Sequence, residues 1–445
     1  MRKRMQAVVL IVLISVLCAA VPATAGDRIT VKVDAVVETL DNGLKVILVE
    51  DHSVPVISYQ TFFRVGARNE RAGITGISHF MEHMMFNGAS KYGPKEFDAV
   101  LEANGGYSNA FTSDDMTAYY EDISSDGLEL CVDLDSDRMK SLTLDPRFIE
   151  SEMNVVKEER RLRTDNSVEG QMWEDLDALA FKAHPYKWPV IGWMSDLEAI
   201  DRDDCVEYFR TYYAPNNAIL IVAGDFDAKK AMKLIHEYYD DIPAQREPGA
   251  VRTVEPPQMG ERRGEVHRKA ELPAVLIAYH TPDVRSGDIY ALDLLQQILT
   301  GGESSRLYRR LVRESEAAMS VSASFPWRVD PYLFQFEIKM KPGHGTIEAE
   351  EAVYAELAGI ADKGVLEEEL VRAKNVLEAD FVRSMQTVNG RASKIGRYEI
   401  LFGDYREMMS VPERYRAVTG DEIREAAKKY FERNNRTVVT LVPEA

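Results

Sequence analysis

Hydrophobic residues change period along the first hundred positions of this chain. Residues 46–49 and 54–63 are runs of β-branched and aromatic residues of strand length. Such runs predict strands. Soon afterwards Phe80, Met81, Met84, Met85 and Phe86 are apolar almost all round a helical wheel, which predicts a buried helix. Thr75 to Ser78 offer capping oxygens before it, and Asn87-Gly88 supply a stop. A helix over residues 97–104, strand-like segments to about Glu121, long helices from about Gly127 and a strand over residues 219–222 complete the half. This mixture predicts an α+β fold, with helices packed on a mostly antiparallel sheet.

The pattern then restarts. Residues 243–257 are polar and proline-bearing, lack a helical period and predict a linker. A strand at 274–279, a helix from Ile289, a strand at 320–324 and a last strand at 436–442 follow in an order that echoes the first half. The echo predicts a diverged internal duplication: two similar α+β domains, 26–242 and 258–445, of the size expected for separate cores. Gly301-Gly302 lacks the lysine of a phosphate-binding loop.

The first 25 residues stand apart. Arg2, Lys3 and Arg4 precede a short apolar run over residues 7–20, and Ala23-Thr24-Ala25 is a small-x-small site. Together they predict a secretory signal peptide cut after Ala25, and hence a periplasmic or secreted protein. The apolar run is short for a membrane span, which takes about 20 residues, so no stable membrane insertion is expected after cleavage. Formal net charge is −19, and losing the three basic residues of the leader moves it to about −22. An acidic balance of this size argues against nucleic acid as a partner. Of the three cysteines, Cys131 and Cys205 remain after cleavage and lie in apolar-periodic stretches, which predicts buried thiols rather than a disulfide framework.

Candidate chemistry centres on His79-Phe-Met-Glu82-His83, an H-x-x-E-H pattern. On a helix the two imidazoles are one turn apart on one face, a spacing at which both can bind one zinc ion. Glu82 projects close to that face and is placed to move a proton during hydrolysis. The plainer alternative is two hydrogen-bonded core histidines and a glutamate reaching for solvent. Catalytic zinc needs roughly three protein ligands and one open position. A second helix is predicted from Asp145-Pro146, and on it Glu152 and Glu159 are seven residues apart on one face. Glu158, Arg160 and Arg161 fit a solvated charged face. In the second half the equivalent place is the apolar run 291–299, so one chain holds one such site.

With these residues the chain resembles the pitrilysin/insulinase-type inverzincin metallopeptidases. The resemblance implies that the third zinc ligand is Glu159, 76 residues past His83, and that Glu152, seven residues before it, supports the site. It implies Glu82 as general base and an unfolded peptide or small polypeptide as substrate of a zinc-dependent metalloendopeptidase. The stretch Gly105 to Thr112 resembles the family's substrate-holding strand, which implies Asn109 and Ala110 as substrate-binding positions along a β-augmented edge. Phe63 to Glu70, His184-Pro185-Tyr186 and Ala214 to Asn217 match further family landmarks, with His184 structural. Members enclose substrate in a clamshell of four such domains. This chain supplies two, so the resemblance implies a homodimer, or a heterodimer with a related chain. Arg313 falls where many members place a substrate-gripping arginine, but Met319 stands where a tyrosine is usual. Met donates no hydrogen bond, which keeps two alternatives open: a zinc-retaining subunit active only with a partner, and a non-catalytic scaffold.

Overall fold

Two sheets organise the computed structural model, which describes residues 32–444; the leader predicted at residues 1–25, its cut after Ala25, and Cys18 lie outside the described residues. The first sheet contains β1 (Val36–Thr39), β2 (Lys45–Glu50), β3 (Val56–Phe63), β4 (Tyr107–Thr112), β5 (Thr117–Ser124) and β6 (Ala218–Gly224) in the order β1-β2-β6-β3-β5-β4. The second contains β7 (Arg262–Lys269), β8 (Ala274–His280), β9 (Ala318–Ser324), β10 (Leu333–Met340) and β11 (Arg436–Glu444) in the order β7-β11-β8-β10-β9. Each sheet has a single parallel pair, β2 with β6 and β7 with β11, and is otherwise antiparallel. The α+β class expected from the sequence holds.

Without β1 the two strand orders correspond position by position, and edge strand β4 matches edge strand β9. Side chains repeat the correspondence. Asn217, just before β6, donates through Nδ2 to Tyr212 O at 2.8 Å and to Arg64 O at 3.4 Å. Asn435, just before β11, donates to Tyr430 O at 2.7 Å and His280 O at 2.8 Å. In each case the asparagine ties the end of a helix, five residues back, to the end of the neighbouring strand.

Each half also covers the other's sheet. On one face of the first sheet lie its own helices Ile77–Met84, Leu128–Ser141 and Ala228–Tyr239, packed on Tyr59, Phe63, Tyr119 and Leu220. Helix Val388–Phe402 of the second half packs on the opposite face, against β3 and β6. Gly396 makes the close approach there: a Cβ on it would stand 2.2 Å from Phe62 Cε2. In return, helix Val168–Ala180 of the first half seats Met172, Leu176 and Ala180 on Val266, Leu276 and Val439 of the second sheet. The described residues are accordingly one compact unit. Among the described residues no helix is long and apolar enough to cross a membrane, and Cys131 and Cys205 are free, buried thiols.

Candidate metal centre

The motif helix, Ile77–Met84, begins at Gly76, whose φ of 89° is open to glycine. A Cβ there would lie 2.4 Å from Ile191 O, so the contact that brings the loop before Gly192 over the helix start needs a bare backbone. The capping oxygens expected from Thr75 and Ser78 are engaged elsewhere, with Asp196 and Tyr208. The helix start is held instead by buried Glu70, whose carboxylate accepts from Gly76 N and Ser78 N, each at 2.8 Å. Burial pushes Glu70 up to about 8, against the backbone hydrogen bonds from Ser78 and Gly76.

The second helix, Pro146–Arg160, starts as its sequence predicts: Asp145 caps it by accepting from Arg147 N, and Pro146 occupies the first turn. It crosses the motif helix and continues into a π-helical turn, Arg161–Asp165. Glu159 Oε2 lies 3.6 Å from His79 Nε2 and 3.4 Å from His83 Nε2. The three side chains offer ligand atoms all within 4.8 Å of one another. Glu152 Oε1 lies 2.8 Å from His83 Nδ1. In neutral His83 a hydrogen on that Nδ1 leaves Nε2 as the lone-pair nitrogen, aimed at the cluster. Glu159 Oε1 is paired with Arg163 Nη2 at 2.8 Å, which leaves its other oxygen for the cluster.

Electrostatics separate the two imidazoles. Burial and the neighbouring His83 push His79 down to about 4, so it is a neutral base at pH 7. Burial opposes charge on His83 too, but its hydrogen bonds to Glu152 and Glu159 win and push it up to about 9. Those bonds hold both Glu152 and Glu159 below the usual carboxylate range. Glu82 goes the other way. Burial raises it, against a hydrogen bond from the Thr112 hydroxyl to Oε2 at 2.5 Å.

These groups line a cleft of about 830 Å³ whose walls include Phe86, Lys95, the β4 residues Asn109 to Thr112, Arg163 and Pro189 to Ile191. Among the described strands β4 is an edge, paired on one side with β5. The Ala110 N–H is taken at 2.8 Å by the Asn109 side-chain oxygen. Asn109, Ala110, Glu82, Glu152, His79, His83 and Glu159 thus converge on one cleft.

Arg313 does not join them. It lies in the second half, on a π-helical turn, exposed and paired with Glu303. Met319 is exposed on edge strand β9. His184 is buried among aromatic rings, with Nδ1 accepting from Tyr186 N at 3.2 Å and Nε2 3.1 Å from Asp330. Sequence reasoning missed Thr112, Arg163 and Glu70. Arg163 carried a signal, since it is four residues past Glu159 on a helical stretch. Thr112 and Glu70 carried none, because their contacts are tertiary.

Residues 45–192 match the model of the insulinase family (peptidase family M16), and residues 199–377 match that of the peptidase M16 inactive domain. The zinc protease PqqE of Helicobacter pylori is 31% identical over 414 residues, which cover 91% of this chain and 92% of that protein. The crystal structure of a protease from Helicobacter pylori superposes with a TM-score of 0.89 at 29% identity, over 92% of this chain and 100% of that one. The periplasmic protease PqqL from Escherichia coli shares the fold, with a TM-score of 0.77 at 19% identity, and this chain covers 48% of it. The chain belongs to the insulinase (M16) family of zinc proteases.

Proposed function

We propose that this chain is a zinc metalloendopeptidase that hydrolyses unfolded peptides or small polypeptides. The observation that carries this reading is the convergence of His79 Nε2, His83 Nε2 and a Glu159 oxygen beside Glu82 at the foot of an open sheet edge. Two imidazole nitrogens and one carboxylate oxygen, with the remaining side facing a cleft, fit a catalytic zinc ion. His79, His83 and Glu159 would hold it, and when bound it supplies Lewis-acid activation of water and of the scissile carbonyl.

The chain's own groups do the rest. Burial leaves Glu82 raised from the ordinary carboxylate range, which suits a group that first accepts a proton from water and then gives it to the leaving amine. Thr112 holds one oxygen of that carboxylate and leaves the other for the proton. Glu152 fixes the His83 tautomer, and Arg163 holds the outer oxygen of Glu159. Along β4 a peptide takes the place of the Asn109 side chain at the Ala110 N–H and lies as an added strand, its backbone directed past Glu82.

The same reading divides the chain into a metal-bearing half, 26–242, a linker, 243–257, and a related half, 258–445, which together make half of a clamshell. The leader would send it to the periplasm or out of the cell. A second reading, a subunit that needs a partner chain for turnover, is favoured by one feature. Arg313 is engaged with Glu303, and Met319 stands exposed on β9. Cleavage of a quenched unstructured peptide by the purified chain, beside Glu82→Gln and with zinc content measured on both, tests the proposal. Cleavage by the native chain alone, at equal zinc content, is expected. Full activity in Glu82→Gln would end the mechanism, and activity that appears only with a second chain would favour the subunit reading.

A further inference from the structure

Helix Val388–Phe402 crosses the first sheet on the face opposite the motif helix, and most of its polar residues are matched. Asn389 Nδ2 donates to Asp122 at 2.9 Å, Ser393 to Gln60 at 3.0 Å and Arg391 to Asp51 at 2.7 Å. Two cations toward the β4 edge are different. Lys394 and Arg397 are three residues apart on one helix face, and neither has an ion pair among the described residues. Their ammonium and guanidinium groups rest instead on aromatic rings, Lys394 over Phe381 at 4.2 Å and Arg397 over Phe111 at 4.6 Å. The charges nearest to them are positive. Burial, then Arg397, pushes Lys394 down to about 8, and burial, then Arg328, lowers Arg397. Arg328 already has its carboxylate, Asp114, at 2.8 Å. In a chain of net charge −19, two adjacent cations without an acid are a site arranged for a carboxylate from elsewhere.

The strand beneath says where that carboxylate would come from. Side chains of β4 alternate between the sheet's faces. Thr112 points to Glu82 on the motif helix, and Phe111 points to the other face, edge-on to Phe62 at 6.2 Å and under Arg397. A strand added along β4 keeps that alternation, and cross-strand neighbours share a face. Its residue beside Phe111 is therefore delivered to Arg397, while the residues either side of it face the metal cluster. An arginine fork recognises a carboxylate through paired hydrogen bonds, and Arg397, exposed above Phe111, is open to one.

We propose that Arg397, supported by Lys394, is a specificity-determining subsite that selects peptides with an acidic side chain on the residue lying beside Phe111. The inference rests on the peptidase reading only in requiring a strand added to β4.

The test is fluorescence anisotropy with the zinc-loaded full chain carrying Glu82→Gln, so that no peptide is consumed. End-blocked peptides carry Glu, Gln or Lys at one scanned position. At one register the Glu peptide should bind about 2- to 5-fold more tightly than the Gln peptide, the range of an exposed charge pair. Arg397→Glu should turn that preference toward Lys, Lys394→Gln should weaken it, and Arg397→Lys should keep its sign but reduce it, because an ammonium lacks the paired fork. Equal affinity for Glu and Gln peptides at every register, or no binding, overturns the inference, as does a preference that survives Arg397→Glu. Wild-type cleavage is scored separately. Cleavage without charge preference removes this subsite and leaves the peptidase, whereas charge-selective binding without cleavage does the reverse.

Discussion

The Thr112 hydroxyl donates a 2.5 Å hydrogen bond to Glu82 Oε2. Thr112 ends the edge strand β4, and Glu82 lies between the two motif histidines, so one bond joins the surface proposed to receive peptide to the group proposed to move the proton. The bond also counters the burial that raises Glu82.

Thr112→Val should therefore act through pH. Loss of the hydroxyl lets the Glu82 carboxyl rise further, and a general base works only when deprotonated. The acid limb of kcat/KM should move to higher pH, with the loss confined to the acid side of the profile and activity restored on its alkaline side. A pH series of peptide cleavage reads this directly. An equal loss at every pH would mean that Thr112 only maintains the local fold.

Glu152 and Arg163 hold two of the groups proposed as metal ligands from behind, one on His83 Nδ1 and one on Glu159 Oε1. Partners of this kind, when removed, weaken metal affinity by about 10- to 100-fold. Chelator competition should show that loss for Glu152→Ala. The loss for Arg163→Ala should be smaller, because Arg163 is mostly exposed and its pairing with Glu159 is screened. Zinc affinity unchanged in Glu152→Ala would contradict the supporting role.

The motif helix, the start of the second helix at Asp145 and the repeated strand order were legible because their signals are local: period, cap and turn chemistry. The approach of Glu159 to His79 and His83 was not local, and its residue-level assignment came from resemblance, since Glu152 and Glu159 share a helix face. Three features left no trace in the pattern. Glu70 replaces Thr75 and Ser78 at the helix start through a loop contact. Helices Val168–Ala180 and Val388–Phe402 exchange sheets, and an amphipathic period records that a face is buried but not against what. Arg397 looks like any surface arginine until Phe111 is seen beneath it.

The helix exchange is testable at Gly396. In an exposed helix interior, Gly→Ala stabilises by about 1 kcal/mol. Here the new methyl would stand 2.2 Å from the buried Phe62 ring, and overpacking of a full core costs about 1–3 kcal/mol. The clash should win, so Gly396→Ala should lower the urea midpoint. A higher midpoint would show that the helix does not seat this closely on β3.

Asp293 makes a prediction of opposite pH sense to an ordinary paired carboxylate. It sits on helix Ile289–Thr300, and Tyr415 donates to its Oδ2 at 2.6 Å. Burial pushes its carboxyl up to about 7, against the hydrogen bonds from Tyr415 and Trp327. An unfolded aspartate titrates near pH ~4, so between about 4 and 7 the folded chain keeps a proton that the unfolded chain has lost. The stabilisation is complete below about pH 4 and disappears as pH rises through about 7. Asp293→Asn keeps an acceptor for Tyr415 and does not titrate. Relative to it, the native chain should lose about 2–4 kcal/mol between pH 4 and pH 8, with most of the change complete by pH 7. Denaturant unfolding of both proteins across that range should show the gap widening with pH, and a constant gap would place a charged Asp293 in the folded chain throughout.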